Sequence, residues 1–319
     1  MNTKLYILII VIFALTYGCK QGNKENEVAI LKYVTHPALD EMENAYYARL
    51  DSLLVSSKEN WIIKKYNANA SATSASTIAK SFSQNNVGLI FTIATPAAIA
   101  VSKNTSDIPH IYGAVADPKG AKIIPSKNST GMANAGKNII QEALLFIKST
   151  FGENVRIGTI YNPQEQNSIY IQNLIKSICK ENNISLKQVT VQSPSNLNGI
   201  TNQLCKAVDV IYSANDNTVN SGVTTITTVA TKYETPFIIG DLSTLEKGAL
   251  FAIGLEYKSM GEKLADISYQ IIANDSLTIS SFPPLVAPKP EIWVNKKIAD
   301  KINFAITDSL VFKNNIKIK

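Results

Sequence analysis

Short apolar segments rich in β-branched residues alternate along the chain with longer segments in which apolar residues recur every three or four positions. The first short segment covers residues 28–34, and the longer segment at residues 37–54 places Met42, Ala45 and Tyr46 on one helical face. A repeated alternation of strand and helix patterns is typical of parallel sheets covered by helices. We therefore predict an α/β protein.

The same strand–helix unit recurs to the end of the chain. Further strands are predicted at residues 61–66, 87–93, 110–115, 155–161, 186–191, 208–213, 237–240, 249–253 and 292–295. Further helices are predicted at residues 71–84, 96–103, 137–150, 165–181, 197–207, 218–233, 257–273 and from residue 296 onward. The pattern restarts after residues 128–131, which divides the elements into two sets of similar size.

Two Rossmann-like lobes with parallel sheets follow from this division. We expect the chain to cross between them near residues 128–131, near Gly254 and in the Pro-rich segment around Pro283. We expect lobe 1 to consist of residues 28–131 plus about 255–284, and lobe 2 to consist of residues 132–254 plus about 285–319. Several crossings side by side would form a multi-strand hinge, which lets lobes close without unfolding.

The amino terminus has the features of a targeting signal. Lys4 supplies a positive charge, and the apolar stretch at residues 5–15 is shorter than the roughly 20 residues of a membrane-spanning helix. Gly18 stands directly before Cys19, and a lipoprotein signal peptidase requires such a small residue beside the cleaved bond. We predict a lipoprotein signal peptide at residues 1–18 and lipidation of Cys19. The alternative is an ordinary secretory signal with an incidental cysteine.

Composition narrows the classes of function. Residues 19–27 are polar and form a predicted tether, whereas the apolar content of 45% supports a packed core beyond it. The formal charge of +6 comes from lysines scattered among acids, without the clustered basic footprint of a nucleic-acid-binding protein. Cys179 and Cys205 have no nearby histidine, so we expect no metal site. Both are predicted to be buried free thiols, with a disulfide as the alternative.

Polar residues concentrate where the predicted strands end, and ligands of open α/β sheets bind outside those carboxyl ends. Thr95, Pro96 and Ala97 follow the third strand, where Thr95 would be the helix N-cap and Pro96 the first helical residue. Unpaired N–H groups that open such a helix favour a carboxylate. The alternative interpretation is a well-capped helix that binds nothing.

Five other strand ends carry polar candidates of the same kind. They are His36, Asp117, the group Asn162, Asn167 and Ser168, the group Asp216, Asn217 and Thr218, and finally Asp241. The amides and hydroxyls of the third group would donate to a carboxylate oxygen, and one of the acids Asp216 and Asp241 would pair with a ligand ammonium. Turn and capping chemistry explains each cluster taken singly, but clusters from both lobes indicate one shared ligand site.

Taken in order, these motifs resemble the ABC-transporter substrate-binding proteins of the tryptophan/tyrosine-binding type. The resemblance runs from about residue 28 to 304 and rests on HPALD at 36–40, ATPAA at 94–98, ADP at 116–118, TG at 130–131, YNP at 161–163 with NS at 167–168, and DNT at 216–218. The chain departs from the family in having Gln164 before Glu165, where Gly is frequent, and Leu242 and Ser243 after Asp241, where acids are frequent.

This resemblance implies a periplasmic-binding-protein type I fold that closes like a Venus flytrap on an aromatic or other apolar amino acid. It implies that the segment around Thr95, with Asn162 and its neighbours, holds the ligand carboxylate and that Asp216 meets the amine. Tyr33, Tyr112 and Tyr212 are candidates for lining the side-chain pocket. We therefore expect an extracytoplasmic lipoprotein that docks on an ABC permease and has no cofactor and no catalytic activity.

Two other classes of function are considered beside this one. A ligand sensor would present the closed form to a membrane receptor and not to a permease. A hydrolase could use His36 or Asp216, but no metal-ligand set, phosphate-binding glycine loop or nucleophile elbow accompanies them in the sequence.

Overall fold

The computed structural model describes residues 26–124, 127–274 and 276–319. The predicted signal peptide, Cys19 and the predicted tether up to residue 25 lie outside the described residues. Within the described ranges, no helix combines the length and apolar character that crossing a membrane requires.

Five parallel strands form the first sheet, in the order β2-β1-β3-β4-β5. They are β1 (Asn26–Lys32), β2 (Trp61–Asn67), β3 (Val87–Ile93), β4 (His110–Val115) and β5 (Ser129–Ala133). The helices between them are α1 (Pro37–Ser57), α2 (Ala72–Phe82) and α3 (Thr95–Asn104). The central strands β1 and β3 are almost wholly buried, as expected for continuous apolar strands in a sheet covered on both faces.

Seven strands form the second sheet, in the order β12-β11-β10-β9-β8-β6-β7. They are β6 (Arg156–Tyr161), β7 (Ser185–Thr190), β8 (Val210–Ser213), β9 (Phe237–Asp241), β10 (Phe251–Leu255), β11 (Glu291–Val294) and β12 (Lys317–Ile318). The accompanying helices are α4 (Lys137–Phe151), α5 (Gln166–Glu181), α6 (Leu197–Cys205), α7 (Asn217–Ser221), α8 (Val223–Lys232), α10 (Lys296–Lys301) and α11 (Asp308–Asn314). Only the β10–β11 pair among these described strands is antiparallel.

Three segments carry the chain from one sheet to the other. The first follows β5, and the second joins β10 to α9 (Tyr257–Ala273), which packs along α1 beside the first sheet. The third is the Pro-rich segment that leads to β11, where Leu285 forms a bridge with Met132 next to the first crossing. Short connections lying side by side are the geometry of a hinge.

The predicted fold class, two α/β lobes with largely parallel sheets, is confirmed, although single elements differ from the sequence pattern. Strand β5 lies where the pattern indicated only a break, because pairing with β4 and not local alternation defines it. The helix predicted at residues 218–233 is divided into α7 and α8 at Gly222, where a Cβ would lie 2.3 Å from Leu197 Cδ1. The terminal helix is two short helices followed by β12.

Two strand irregularities lie close to the crossings. The register shifts between Tyr112 and Val115 in the β4–β5 pair, and between Ala252 and Leu255 in the β9–β10 pair. The second shift depends on Gly254, because a Cβ there would lie 2.1 Å from the carbonyl oxygen of Gly240. Such bulges bend the strand and redirect the chain that follows it.

The two cysteines of the described residues are separate. Cys179 in α5 is buried and Cys205 at the end of α6 is half-buried, and both are free. Burial raises the pKa of the Cys179 thiol to about 11, which keeps it protonated and unreactive. The thiols are therefore free as predicted, and the alternative disulfide is not formed.

Candidate ligand-binding site

A small polar cavity of about 10 Å³, room for roughly one water molecule, lies where the carboxyl ends of the strands of both sheets meet. The first lobe and its crossing segments contribute His36, Leu39, Ala114, Asn134 and Tyr257. The second lobe contributes Asn167, Asn215, Asn217 and Asn220. Three of the residues predicted from the sequence, His36, Asn167 and Asn217, therefore line one shared cavity.

The backbone around the cavity is held in conformations that side-chain-bearing residues seldom adopt. Ala94 after β3, Ala114 at the end of β4 and Asn215 after β8 have φ values of 82°, 56° and 47°. For a residue with a Cβ, such a conformation costs about 1–2 kcal/mol. Strained residues gathered at the ends of three strands are characteristic of functional sites, where surrounding contacts hold them in place.

His36 connects the two lobes. It is the N-cap residue of α1, ahead of Pro37, and only 5% of it is exposed. Its Nε2 lies 3.5 Å from Oδ1 of Asn217 in α7 of the other lobe. Burial lowers the pKa of His36 to about 4, so the imidazole is neutral near pH 7.

Glu165, the N-cap residue of α5, organises the second-lobe wall of the cavity. Its Oε2 accepts hydrogen bonds from the backbone N–H and the side-chain amide of Asn217, at 3.3 and 2.5 Å, and from Nδ2 of Asn167 at 3.2 Å. Its Oε1 accepts from the backbone N–H and the hydroxyl of Thr218, at 3.1 and 2.7 Å. This buried carboxylate thus fixes the start of α7 and the orientation of two cavity amides.

Asp216, predicted to meet a ligand ammonium, is committed to the protein itself. Its Oδ1 accepts from the backbone N–H of Val219 at 2.8 Å, which caps α7. Its Oδ2 accepts from the backbone N–H of Asn162 at 2.7 Å and from the hydroxyl of Ser168 at 2.6 Å. Burial, followed by the nearby charge of Glu165, raises the pKa of Asp216 to about 6. The structure does not place this carboxylate on the cavity wall, because capping and loop closure use both of its oxygens.

Asn162, Ser168 and Thr218 also hold the loops and do not line the cavity. Asn162 donates from Nδ2 to the hydroxyl of Thr218 at 2.8 Å and accepts from the backbone N–H of Gln164 at 2.9 Å. Its amide is therefore used at both ends by local turn chemistry. These residues shape the site from behind the cavity wall.

Asp241 ends β9 and is completely buried. One of its oxygens accepts from Thr244 and from the hydroxyl of Ser243, and the other accepts from Nδ2 of Asn220 at 3.4 Å. Burial raises the pKa of Asp241 above its ordinary value. The side chain thus supports the cavity residue Asn220 and does not itself reach the cavity wall.

The group predicted after β3 is also placed differently. Helix α3 begins at Thr95 with Ala94 as its N-cap, so the prediction that Thr95 is the N-cap is wrong. The Thr95 hydroxyl instead accepts a hydrogen bond from the backbone N–H of Ala116 at 3.2 Å. Thr95, Pro96 and Ala97 are absent from the cavity wall.

Asp117 and the three candidate tyrosines have local roles. Asp117 accepts from the backbone N–H of Gly120 at 2.9 Å, which closes the turn after β4. The Tyr33 hydroxyl donates to the carbonyl of Ala70, while Tyr112 and Tyr212 are completely buried in the cores of their own lobes. None of these four residues lines the cavity.

Sequence reasoning missed the aromatic residue that does line it. The Tyr257 hydroxyl, at the start of α9, accepts from Nδ2 of Asn134 at 2.7 Å and donates to Oδ1 of Asn215 at 3.4 Å. Asn215 in turn donates to the carbonyl of Asn134 at 3.2 Å. This triangle joins the two crossing segments to β8. The sequence signal that could have identified Tyr257 and Asn134 is their position directly beside predicted crossings between the lobes.

A larger groove of about 830 Å³ runs beside the Pro-rich segment. Lys119, Ile124, Phe282 and Pro283 contribute to its wall. The groove is open and mostly apolar. Of the two sites, both within the described residues, only the smaller cavity is lined by buried polar groups from both lobes. Convergent polar groups at strand ends are the more specific sign of a ligand site.

Residues 27–317 match the family described as ABC transporter substrate binding protein. A similar curated protein is a "Tyrosine-binding protein" of Clostridioides difficile strain R20291, 27% identical over 278 residues that cover 86% of this chain and 80% of the relative.

Solved structures show the same architecture. A conserved domain protein from Vibrio cholerae O1 biovar El Tor is 28% identical with a TM-score of 0.84, covering 93% of this chain and 100% of its own. A Streptococcus pneumoniae domain in complex with L-Trp is 23% identical with a TM-score of 0.82, covering 92% and 100%. A ligand-free, open substrate-binding protein from Clostridium difficile is 26% identical with a TM-score of 0.67, covering 92% and 99%. The chain therefore belongs to the ABC transporter substrate-binding protein family.

Proposed function

We propose that this chain is an extracytoplasmic, lipid-anchored binding protein that captures an amino acid with an aromatic or apolar side chain and delivers it to an ABC permease. The observation that carries the proposal is the cavity to which both lobes contribute side chains. Four buried polar atoms of its wall residues have no hydrogen-bond partner among the described residues: His36 Nδ1, Asn134 Oδ1, Asn167 Oδ1 and Asn220 Oδ1. Buried polar atoms in folded proteins are nearly always paired, so such a group indicates a ligand site.

The amino-acid class is supported by relatives. The similar protein of Clostridioides difficile is named for tyrosine, and the Streptococcus pneumoniae structure contains L-Trp. The cavity itself has room for only about 10 Å³, roughly one water-sized group, so binding a whole amino acid requires the two walls to move apart.

Capture is proposed to work by lobe closure. Lobe 1 would comprise residues 28–131 plus about 255–284, and lobe 2 residues 132–254 plus about 285–319. The higher TM-score with the L-Trp complex, 0.82 against 0.67 for the open ligand-free structure, fits a closed arrangement. A ligand that touches both walls stabilises the closed form by its differential affinity for the two forms. The permease would then recognise the closed form.

Membrane attachment through Cys19 is part of the proposal. The apolar stretch at residues 5–15 and the small Gly18 before the cysteine support it. A polar tether after the cysteine would let the lobes move freely above the membrane.

Titration calorimetry on the full chain, purified in mild detergent, tests the capture function. L-tyrosine, L-tryptophan and the remaining proteinogenic amino acids serve as ligands. We expect one binding site per chain, and at a hundred times the Kd the ligand should add about 2.7 kcal/mol to the free energy of unfolding. Failure to bind any amino acid would refute the proposal.

Uptake of the bound amino acid by cells tests delivery to a permease. Deleting the gene should lower uptake at ligand concentrations below saturation, and restoring it should recover the rate. Normal uptake in the deletion strain would instead favour the ligand sensor. Mass spectrometry of the recovered ligand should show no product, whereas conversion of the amino acid would favour an enzyme.

A further inference from the structure

The unpartnered atoms of the cavity have one chemical feature in common, which their neighbours determine. Asn167 donates from Nδ2 to Oε2 of Glu165 and to the backbone oxygen of Asn215, both at 3.2 Å. Asn220 donates from Nδ2 to Oδ2 of Asp241 at 3.4 Å. An ionised carboxylate and a carbonyl only accept hydrogen bonds, so each amide must turn its NH₂ group toward them. The unpartnered atom of both residues is therefore the carbonyl oxygen.

The same reasoning applies to Asn134. The Tyr257 hydroxyl donates its hydrogen to Oδ1 of Asn215. Its oxygen therefore acts as an acceptor toward Asn134, whose Nδ2 donates to it at 2.7 Å. Asn134 Oδ1 is then the end without a partner. A third amide oxygen thus belongs to the wall of the same cavity.

His36 adds a fourth acceptor. The NH₂ group of Asn217 is held by Glu165, so Oδ1 of Asn217 is the atom that faces Nε2 of His36 at 3.5 Å. This arrangement places the imidazole proton on Nε2 and leaves a lone pair on the unpartnered Nδ1. All four unpartnered atoms of the wall residues are therefore acceptors.

The charges behind the wall have the same sign. Glu165 and Asp241 are at least 96% buried and accept hydrogen bonds from the cavity amides Asn167, Asn217 and Asn220, and the buried Asp216 lies close to Glu165. Lys32 is a buried cation of the same region, and its ammonium is already paired with Asp40 and Glu43 at 2.6 and 2.8 Å. Acceptor atoms in front of buried carboxylates attract a cation that carries several N–H donors. A sugar hydroxyl fits less well, because each hydroxyl also needs a donor.

We propose that the side-chain oxygens of Asn134, Asn167 and Asn220 bind the ammonium group of the captured solute, and that Glu165 and Asp241 act as positioning residues that turn two of these amides toward it. This inference rests on the proposed function and assigns the amine end of the ligand to the cavity. It also reverses the expected role of Asn167, which the sequence suggested as a donor to a carboxylate. The three N–H bonds of a primary ammonium match the three amide oxygens in number.

Ligand analogues test the assignment on the unmodified protein. Calorimetry compares L-tyrosine with tyramine, which lacks the carboxylate, and with 3-(4-hydroxyphenyl)propanoate, which lacks the amine. We expect removal of the amine to weaken binding roughly a hundredfold or more, because a site built to pair with N–H donors rejects an analogue without them. The loss of affinity for tyramine should be much smaller. If another amino acid binds more tightly than L-tyrosine, it is compared in the same way with its own deaminated and decarboxylated analogues.

Substitutions at Asn134 test whether its oxygen acts as an acceptor. Asn134→Asp keeps an acceptor oxygen and can accept from the Tyr257 hydroxyl, so L-tyrosine should bind within about threefold of wild type or more tightly. Asn134→Leu removes the acceptor and should weaken binding by roughly tenfold or more. Asn202 is half-buried on α6 and does not line the cavity, so Asn202→Asp and Asn202→Leu are matched controls that should not change affinity. If Asn134→Leu does not fold, Asn220→Ser removes a second amide oxygen with the same expected loss.

The outcomes separate the two proposals. Equal affinity for L-tyrosine and its deaminated analogue, or a tenfold loss in Asn134→Asp, would overturn the ammonium assignment and leave the capture function standing. No binding of any amino acid would overturn both. Parallel loss in Asn134→Asp and Asn134→Leu, with thermal unfolding unchanged, would show that Asn134 donates to the ligand.

Discussion

His36 Nε2 and Asn217 Oδ1 lie 3.5 Å apart across the cavity, although 181 residues separate them in the chain. His36 stands at the start of α1 in the first lobe, and Asn217 opens α7 in the second. The pair is thus a direct side-chain link between the two walls. Its geometry depends on Glu165, which holds the amide of Asn217 from behind.

The first prediction concerns pH. Burial lowers the pKa of His36 to about 4 from an ordinary value of 6.5, and lobe opening would expose the imidazole, so we expect the open protein to bind the proton more tightly than the closed one. The free energy that His36 contributes to closure is fully present above about pH 6.5 and is lost as the pH falls toward 4, by up to about 3 kcal/mol. Small-angle scattering of the ligand-free protein between pH 7.5 and 4.5 should show opening at the acid end.

A variant and a control isolate this effect. His36→Gln keeps a polar side chain and should remove most of the pH dependence of opening. His110→Gln is the matched control, because His110 is buried inside the first lobe against Thr92 and Ser129 and faces no other lobe. Asp216, whose pKa is raised to about 6, binds only partners of its own lobe and is unchanged in both variants. Identical profiles for wild type and His36→Gln would contradict the role of His36.

The second prediction concerns Glu165. Glu165→Gln places an NH₂ group where the carboxylate accepted five hydrogen bonds from Asn167, Asn217 and Thr218. We expect a loss of about 2–4 kcal/mol in the free energy of unfolding, measured by urea denaturation. Glu181→Gln, at the exposed end of the same helix, should leave it nearly unchanged. Equal effects of both substitutions would disprove the organising role of Glu165.

The third prediction distinguishes capping from amine recognition at Asp216. Asp216→Asn weakens the hydrogen bonds that hold Asn162, Ser168 and Val219. We expect unfolding to become easier by about 1–3 kcal/mol, and L-tyrosine and its deaminated analogue should lose affinity by the same factor. A selective loss for the amine-bearing ligand would restore Asp216 as the amine partner.

The fourth prediction concerns the strand next to the second crossing. Gly254→Ala would force a Cβ to within 2.1 Å of the Gly240 carbonyl, so β9 and β10 must separate locally. Destabilisation of about 3 kcal/mol or more is expected from such overpacking. Gly199 in α6 has nothing within 4 Å of its Cβ position, and Gly199→Ala should stabilise the helix by about 0.5–1 kcal/mol. Thermal unfolding of the two variants should therefore shift in opposite directions.

The fifth prediction concerns the anchor. Cys19→Ser removes the thiol that would carry the lipid, so the protein should leave the membrane fraction and lose labelling by a fatty-acid analogue. Ligand affinity should be unchanged, because the cavity lies in the described lobes. Membrane association and labelling that persist in Cys19→Ser would contradict lipidation at this residue.

The sequence by itself determined the order of strands and helices, their division into two sets and the places where polar residues follow strands. These features are local, because hydrophobic periodicity, Pro and turn residues act within a few positions of one another. They were sufficient for the fold class and for finding His36, Asn167 and Asn217. They did not reveal Asn134, Asn220 or Tyr257, whose side chains meet only after the lobes come together.

Only the tertiary structure decided which polar atoms face the cavity. Asp216 and Asn162 have suitable chemistry and suitable positions, yet they bind each other across 54 residues of chain and have little left to offer a ligand. Asn167 faces the cavity with its oxygen because Glu165 and the Asn215 carbonyl take its hydrogens. The direction of an amide or a carboxylate is set by its hydrogen-bond partners, and those partners are chosen by packing between distant segments and not by neighbours in the sequence.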